Sequence, residues 1–101
     1  MTPRAYQLMP HIMELLRQRQ HQTISRAEIK EYLTPIVSYR GLRWREQVLG
    51  WGLKYLVQDE RIERRSRGFY CILPKGLGAF TEDDGRRLTR VFEPSTWDIK
   101  A

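Results

Sequence analysis

Residues 42–73 read LRWREQVLGWGLKYLVQDERIERRSRGFYCIL, and the order of patterns inside this stretch decides the fold. From Arg43 to Gln58 the apolar residues recur at helical spacing. Trp44, Val48, Trp51 and Tyr55 fall on one side, and Leu49, Gly52, Leu53 and Leu56 widen that arc. A helix with so wide an apolar arc is largely buried. Its narrow remaining face carries Arg43, Gln47, Gly50 and Lys54. After the turn Gln58-Asp59-Glu60 the period changes. Arg61 to Arg64 alternates at every second residue, as a half-buried strand does. Arg64, Arg65, Ser66, Arg67 and Gly68 form a hairpin tip, where Gly68 can take the positive φ of a tight turn. Phe69, Cys71 and Leu73 alternate with Tyr70 and Ile72 in the return strand. Pro74, which has no N–H to give to a ladder, closes it.

Upstream, Thr2-Pro3 opens a helical turn with Thr2 as its cap, and the main first helix starts or kinks at Pro10. Ile12, Met13, Leu15 and Leu16 give it a core-facing side. His21 to Ile24 is a linker in which Ile24 adds a short strand to the hairpin. Ser25 and Glu28 match a capping box, so a second helix begins at Arg26, with Ala27, Ile29, Tyr32 and Leu33 apolar. It stops before Pro35, because the residue preceding proline avoids the α region. Thr34 to Leu42 then connects the second helix to the third. Downstream, Thr81 caps a fourth helix over Glu82 to Phe92, with Leu88, Val91 and Phe92 as its apolar face and Gly85 weakening it. The expected architecture is mainly α with a small β-hairpin, an α+β winged helix-turn-helix. Residues 1–80 form the winged-helix domain, and residues 81–101 form a C-terminal helix and tail. That tail packs on the domain or, through Val91, Phe92 and Trp97, forms a homodimer seam.

The chain of 101 residues carries a formal charge of +6, spread unevenly. Residues 1–39 have five basic and three acidic side chains, residues 40–67 have eight and four, and residues 68–101 have five of each. The excess therefore lies on the third helix and the hairpin, where a polyanion would be met. Cys71 is the only cysteine, so an internal disulfide is excluded, which suits a reducing cytoplasm. It is read as a small core residue. No apolar run approaches the roughly 18 residues of a membrane span, and the N-terminus lacks the basic-then-apolar design of a signal peptide.

Several elements are similar in order and spacing to the N-terminal winged-helix domain of Mrr-type restriction endonucleases. They are Tyr6-Gln7 followed by Leu8-Met9-Pro10 and Leu15-Leu16, Gly50-Trp51 followed by Tyr55-Leu56, and Arg67-Gly68-Phe69-Tyr70 leading to Gly76. The resemblance spans roughly residues 3–80 and implies a fold and a DNA contact. The chain departs from the family at Gly52, where Ala is usual, at Gln58-Asp59-Glu60, which replaces a more basic turn, and at Leu73, where Thr is common. It carries no nuclease domain, so the resemblance does not imply cleavage.

Catalytic chemistry finds no support in the residues. His11 and His21 stand alone, whereas zinc needs three or four convergent ligands. Gly76-Leu77-Gly78 lacks the rest of a P-loop or dinucleotide fingerprint. Asp98-Ile99-Lys100 has the short element of a Mg²⁺-dependent nuclease, but it stands at the chain end, not on a rigid element. The expectation is a non-enzymatic protein without cofactors. Arg and Gln read guanine and adenine edges bidentately in the major groove. The candidate DNA-binding residues are accordingly Arg43, Gln47, Gly50 and Lys54 on the helix, Arg40 just before it, and Arg64, Arg65 and Arg67 on the hairpin. Gly50 either lets the helix backbone approach a base edge or permits close helix packing. The favoured function is a double-stranded DNA binder, acting as a transcription regulator or as the recognition module of a restriction system. The alternatives are a winged-helix protein-interaction module and an RNA binder.

Overall fold

The computed structural model describes residues 3–92. Its α-helices are α1 (Ala5–Gln18), α2 (Arg26–Tyr39), α3 (Glu46–Gln58) and α4 (Glu82–Val91), and its strands are β1 (Ile24–Ser25), β2 (Ile62–Ser66) and β3 (Phe69–Ile72). A single 3-10 turn spans Pro74–Leu77. The architecture is α+β, a helical layer against a three-stranded antiparallel sheet of order β1-β3-β2. Ile24 pairs with Tyr70 and Ser25 with Phe69, so the short strand expected at Ile24 does complete the sheet. Glu93 to Ala101, including Trp97 and Asp98-Ile99-Lys100, lies outside the described residues, as does the Thr2 cap.

Neither proline bounds its helix: α1 starts at Ala5, not at Pro10, and α2 does not stop before Pro35. Pro10 lies inside α1 and Pro35 inside α2. A proline in a helix interior removes one bond and crowds the preceding turn, at about 3 kcal/mol. In α1 the buried face runs through the interruption, with Leu8 and Met9 on one side and Ile12, Met13, Leu15 and Leu16 on the other. Fully burying each such side chain contributes roughly 1.5–3 kcal/mol, which outweighs the defect. In α2 the buried residues Ile29, Leu33 and Val37 recur every fourth position across Pro35. Thr34 Oγ1 meanwhile donates to the Lys30 carbonyl at 2.7 Å. Ala27, expected on the apolar face, is exposed. The helix stops instead at Gly41, whose φ is +71°. There the N–H of Leu42 reaches the Val37 carbonyl and the N–H of Gly41 reaches that of Ser38, both at 3.0 Å, a Schellman ending. The start of α2 is as expected, with the Glu28 N–H donating to Ser25 Oγ at 3.1 Å.

The third helix begins at Glu46, three residues later than its apolar pattern suggests, so Arg43 and Trp44 belong to the preceding extended segment. Arg45 holds the cap position in an extended conformation. The buried arc centres on Leu49, Gly52, Leu53, Tyr55 and Leu56, while Trp44, Val48 and Trp51 are half-buried at its margin. Gly52 lies against α1, where a methyl group would meet Ile12 Cδ1 at 3.5 Å and the Ala5 carbonyl at 3.7 Å. A single core forms from these residues together with Ile24, Ile62, Tyr70, Phe80 and Leu88.

Helix α4 packs on α1. Its Thr81 cap accepts from the Asp84 N–H at 3.2 Å, and Asp84 Oδ2 accepts from the Thr81 N–H at 2.8 Å. Gly85 brings the two helices together, since a methyl group there would stand 3.0 Å from Tyr6 Cβ. Leu88 is buried and Phe92 packs at the core edge, but Val91 is 62% exposed and does not belong to the apolar face assigned to it.

Candidate nucleic-acid interface

Arg26 joins the hairpin to α3. Its backbone N–H donates to the carbonyl of Gly68, in the hairpin turn, at 2.8 Å. Its guanidinium crosses to α3, where Nη2 donates to the Glu46 carbonyl at 3.0 Å. A methyl group at Gly50 would meet the two terminal nitrogens of the same guanidinium at 3.7 and 3.8 Å. The turn of the hairpin and the start of α3 thus meet one residue, the first through its backbone and the second through its side chain.

On the polar stripe of α3 Gln47, Gly50 and Lys54 follow at spacings of three and four, so they share a face. Gln47 is exposed and Lys54 half-buried. Arg43 precedes the helix and is exposed on the segment leading into it. The position of Arg26 bears on the packing reading of Gly50. The atoms closest to a methyl group there belong to a flexible arginine end, not to another helix backbone, whereas at Gly85 a methyl group would crowd Tyr6, so close helix packing is the task of Gly85.

The hairpin is shorter at its tip than the sequence suggests. β2 runs to Ser66, and only Arg67 and Gly68 turn the chain, with Gly68 at φ +78°. Arg64 pairs with Tyr70 and Ser66 with Phe69, which leaves Arg65 as an unmatched bulge residue. Arg64 shares the sheet face of Ile62 and Tyr70, the face that packs on the helices, yet it is exposed at the edge of the sheet. Arg65 turns elsewhere. Its Nε donates to Cys71 Sγ at 3.2 Å, and it lines a cavity of about 270 Å³ with Gln20, His21, Thr23, Cys71 and Ile72. Cys71 is buried, as expected for a small apolar residue.

Arg40 caps the end of α2 and pairs with Glu82 in the first turn of α4 at 3.6 Å. Arg43, Arg45, Arg64 and Arg67 are exposed, and among the described residues no carboxylate pairs with them. Glu46 is the acid beside them. Lys30 Nζ approaches its Oε1 to 2.6 Å, Trp44 Nε1 donates to the same oxygen at 3.1 Å, and Arg26 Nη2 stands 3.5 Å from Oε2. The Lys30 hydrogen bond holds the Glu46 carboxyl below its usual range, against the opposing effect of partial desolvation. Glu46 also occupies the first turn of α3, where a negative charge suits the helix dipole.

Sequence reading missed Arg26 and Lys30. Both stand on α2 at a spacing of four, and the pattern of α2 alone makes them an ordinary solvated pair. Only the packing of α2 beside α3 brings them to the stripe. Among the described residues no helix is long and apolar enough to cross a membrane, and no group of three or more His, Cys, Asp or Glu is placed to hold a metal ion. No family model, curated protein or solved structure matches this chain.

Proposed function

We propose that the protein is a winged-helix DNA-binding protein that takes duplex DNA across the surface centred on Arg26. In this reading α3 enters the major groove with Gln47 and Lys54 toward base edges, Gly50 lets the helix backbone approach, and the hairpin lies along the phosphate backbone. One observation carries it. Arg26 binds the hairpin turn through its backbone and the first turn of α3 through its guanidinium, which supports reading the two basic elements as one surface. The helix and strand order, with β1 completing the sheet, supports the winged-helix assignment. The exposed charges of Arg43, Arg45, Arg64 and Arg67 supply the electrostatic attraction. Arg65, turned toward Cys71, and Arg40, paired with Glu82, have lesser parts.

The test is titration of a random-sequence duplex at two salt concentrations. About four to six neutralised phosphates give a slope of log affinity against log salt of roughly −0.9 per phosphate. Arg43→Ala and Arg67→Ala each make the slope shallower by about one phosphate. Absence of duplex binding at low salt, or an unchanged slope in both single variants, overturns the proposal.

A further inference from the structure

The surface around Arg26 carries the carboxylate of Glu46, and its surroundings are unlike those of a structural ion pair. Three donors converge on it: the Lys30 ammonium, the Trp44 indole N–H and the Arg26 guanidinium. Yet the side chains of Lys30 and Glu46 are about half exposed, at 49% and 52%, and that of Arg26 is 35% exposed. Ion pairs this wet add little to stability. Carboxylates and phosphate diesters are both singly charged and present two oxygens, and a guanidinium accepts either in the same fork. Lys30 and Arg26 stand one turn apart on α2 and both point at α3. The geometry is that of a phosphate seat already filled by a side chain.

We propose that Arg26 and Lys30 form a seat for a backbone phosphate of the duplex, and that Glu46 is its internal competitor and thereby sets discrimination against arbitrary DNA. The inference rests on the duplex-binding reading above. A phosphate arriving at this surface meets Glu46 either still in place, and is repelled, or displaced, and then takes the Arg26 and Lys30 contacts that the carboxylate gives up along with its bond from Trp44. A non-cognate duplex gains little at this seat. Only a duplex that also satisfies the base-reading face of α3 is held long enough to displace the carboxylate.

The test is Glu46→Gln, which keeps an acceptor oxygen for Trp44 and Lys30 and removes the charge. Affinity for a random-sequence duplex rises by about fivefold, and the salt slope steepens by up to about one phosphate. Adding Lys30→Gln to this variant takes the gain away. Glu46→Ala gives a second readout that does not depend on the folding of the glutamine variant, with a gain in random-duplex affinity and a steeper slope again expected. Unchanged or weaker binding by both Glu46 variants, or a gain that survives the added Lys30→Gln, overturns the seat while Arg67→Ala still weakens binding. Failure of the unaltered protein to bind duplex overturns both this inference and the reading beneath it.

Discussion

Arg26 is bound to Gly68 through its backbone, not through its charge, at 2.8 Å, although the two residues lie on different elements. The hairpin is therefore moored to the first residue of α2. Arg26 occupies the first helical position after the Ser25 cap, where proline is tolerated by the helix itself. Arg26→Ala and Arg26→Pro both delete the guanidinium, but only the proline deletes the N–H. Arg26→Pro is expected to be less stable than Arg26→Ala by about 1 kcal/mol or more. Equal denaturation midpoints for the two would show that the mooring bond is without weight.

The glycines sort by what a methyl group would strike. At Gly76 it would collide with the Arg61 carbonyl and stand 2.8 Å from Met13 Cε, so Gly76→Ala is expected to destabilise by about 2 kcal/mol or more. At Gly52 it meets only ordinary contacts inside a helix, so Gly52→Ala is expected to stabilise by about 1 kcal/mol. Chemical denaturation of the two variants checks both signs.

Gly50→Ala separates folding from binding. A methyl group there lands in ordinary contact with the Arg26 guanidinium, and alanine is the better helix former by about 1 kcal/mol. The variant is expected to melt higher and to bind duplex more weakly, because the backbone of α3 is then held off. A higher midpoint with undiminished affinity removes Gly50 from the interface.

Asp59 ends α3 and holds two cations, Arg61 at 2.7 Å and Lys75 at 2.9 Å. Burial raises its pKa, but the hydrogen bonds from Lys75 and Arg61 outweigh burial and leave it lowered. The sign follows from linkage. A carboxyl that is more acidic when folded contributes stability above its unfolded pKa, and loses it as pH falls through the folded one. Glu46 and Asp84, held down chiefly by Lys30 and by the Thr81 backbone respectively, act in the same sense. The midpoint is thus expected to fall as pH drops below about 4. Asp59→Asn is expected to reduce that dependence and to lower stability at pH 7 by about 1–3 kcal/mol, since Arg61 is mostly buried over the Phe80 ring. A pH-independent difference between the variant and the parent would contradict this.

Periodicity and capping carried most of the fold. The Ser25 and Thr81 caps, the presence of the hairpin with its turn at Gly68 and the pairing of Ile24 followed from short-range chemistry that the sequence displays directly. The prolines misled because their local penalty is legible, whereas the continuous buried faces of α1 and α2 that override it are tertiary. Arg43 and Trp44 fit a helical wheel but lie in the non-helical segment between the Gly41 ending of α2 and the Arg45 cap of α3. Of the candidate interface, Gln47, Gly50 and Lys54 could be grouped by spacing alone. Arg26, Lys30 and the counter-charge of Glu46 could not, because their meeting depends on how α2 lies beside α3.

The extra residue in β2 has a consequence for how the hairpin can vary. If Arg65 were excised, Arg64 would still face Tyr70 and Ser66 would still face Phe69, and inward and outward positions would alternate without interruption. Ile62 would keep its place under the helices. The hairpin can therefore lose one cation and one length of chain, along with the Arg65 bond to Cys71, while its strand register is kept, which makes its reach an adjustable property that drift or selection can tune.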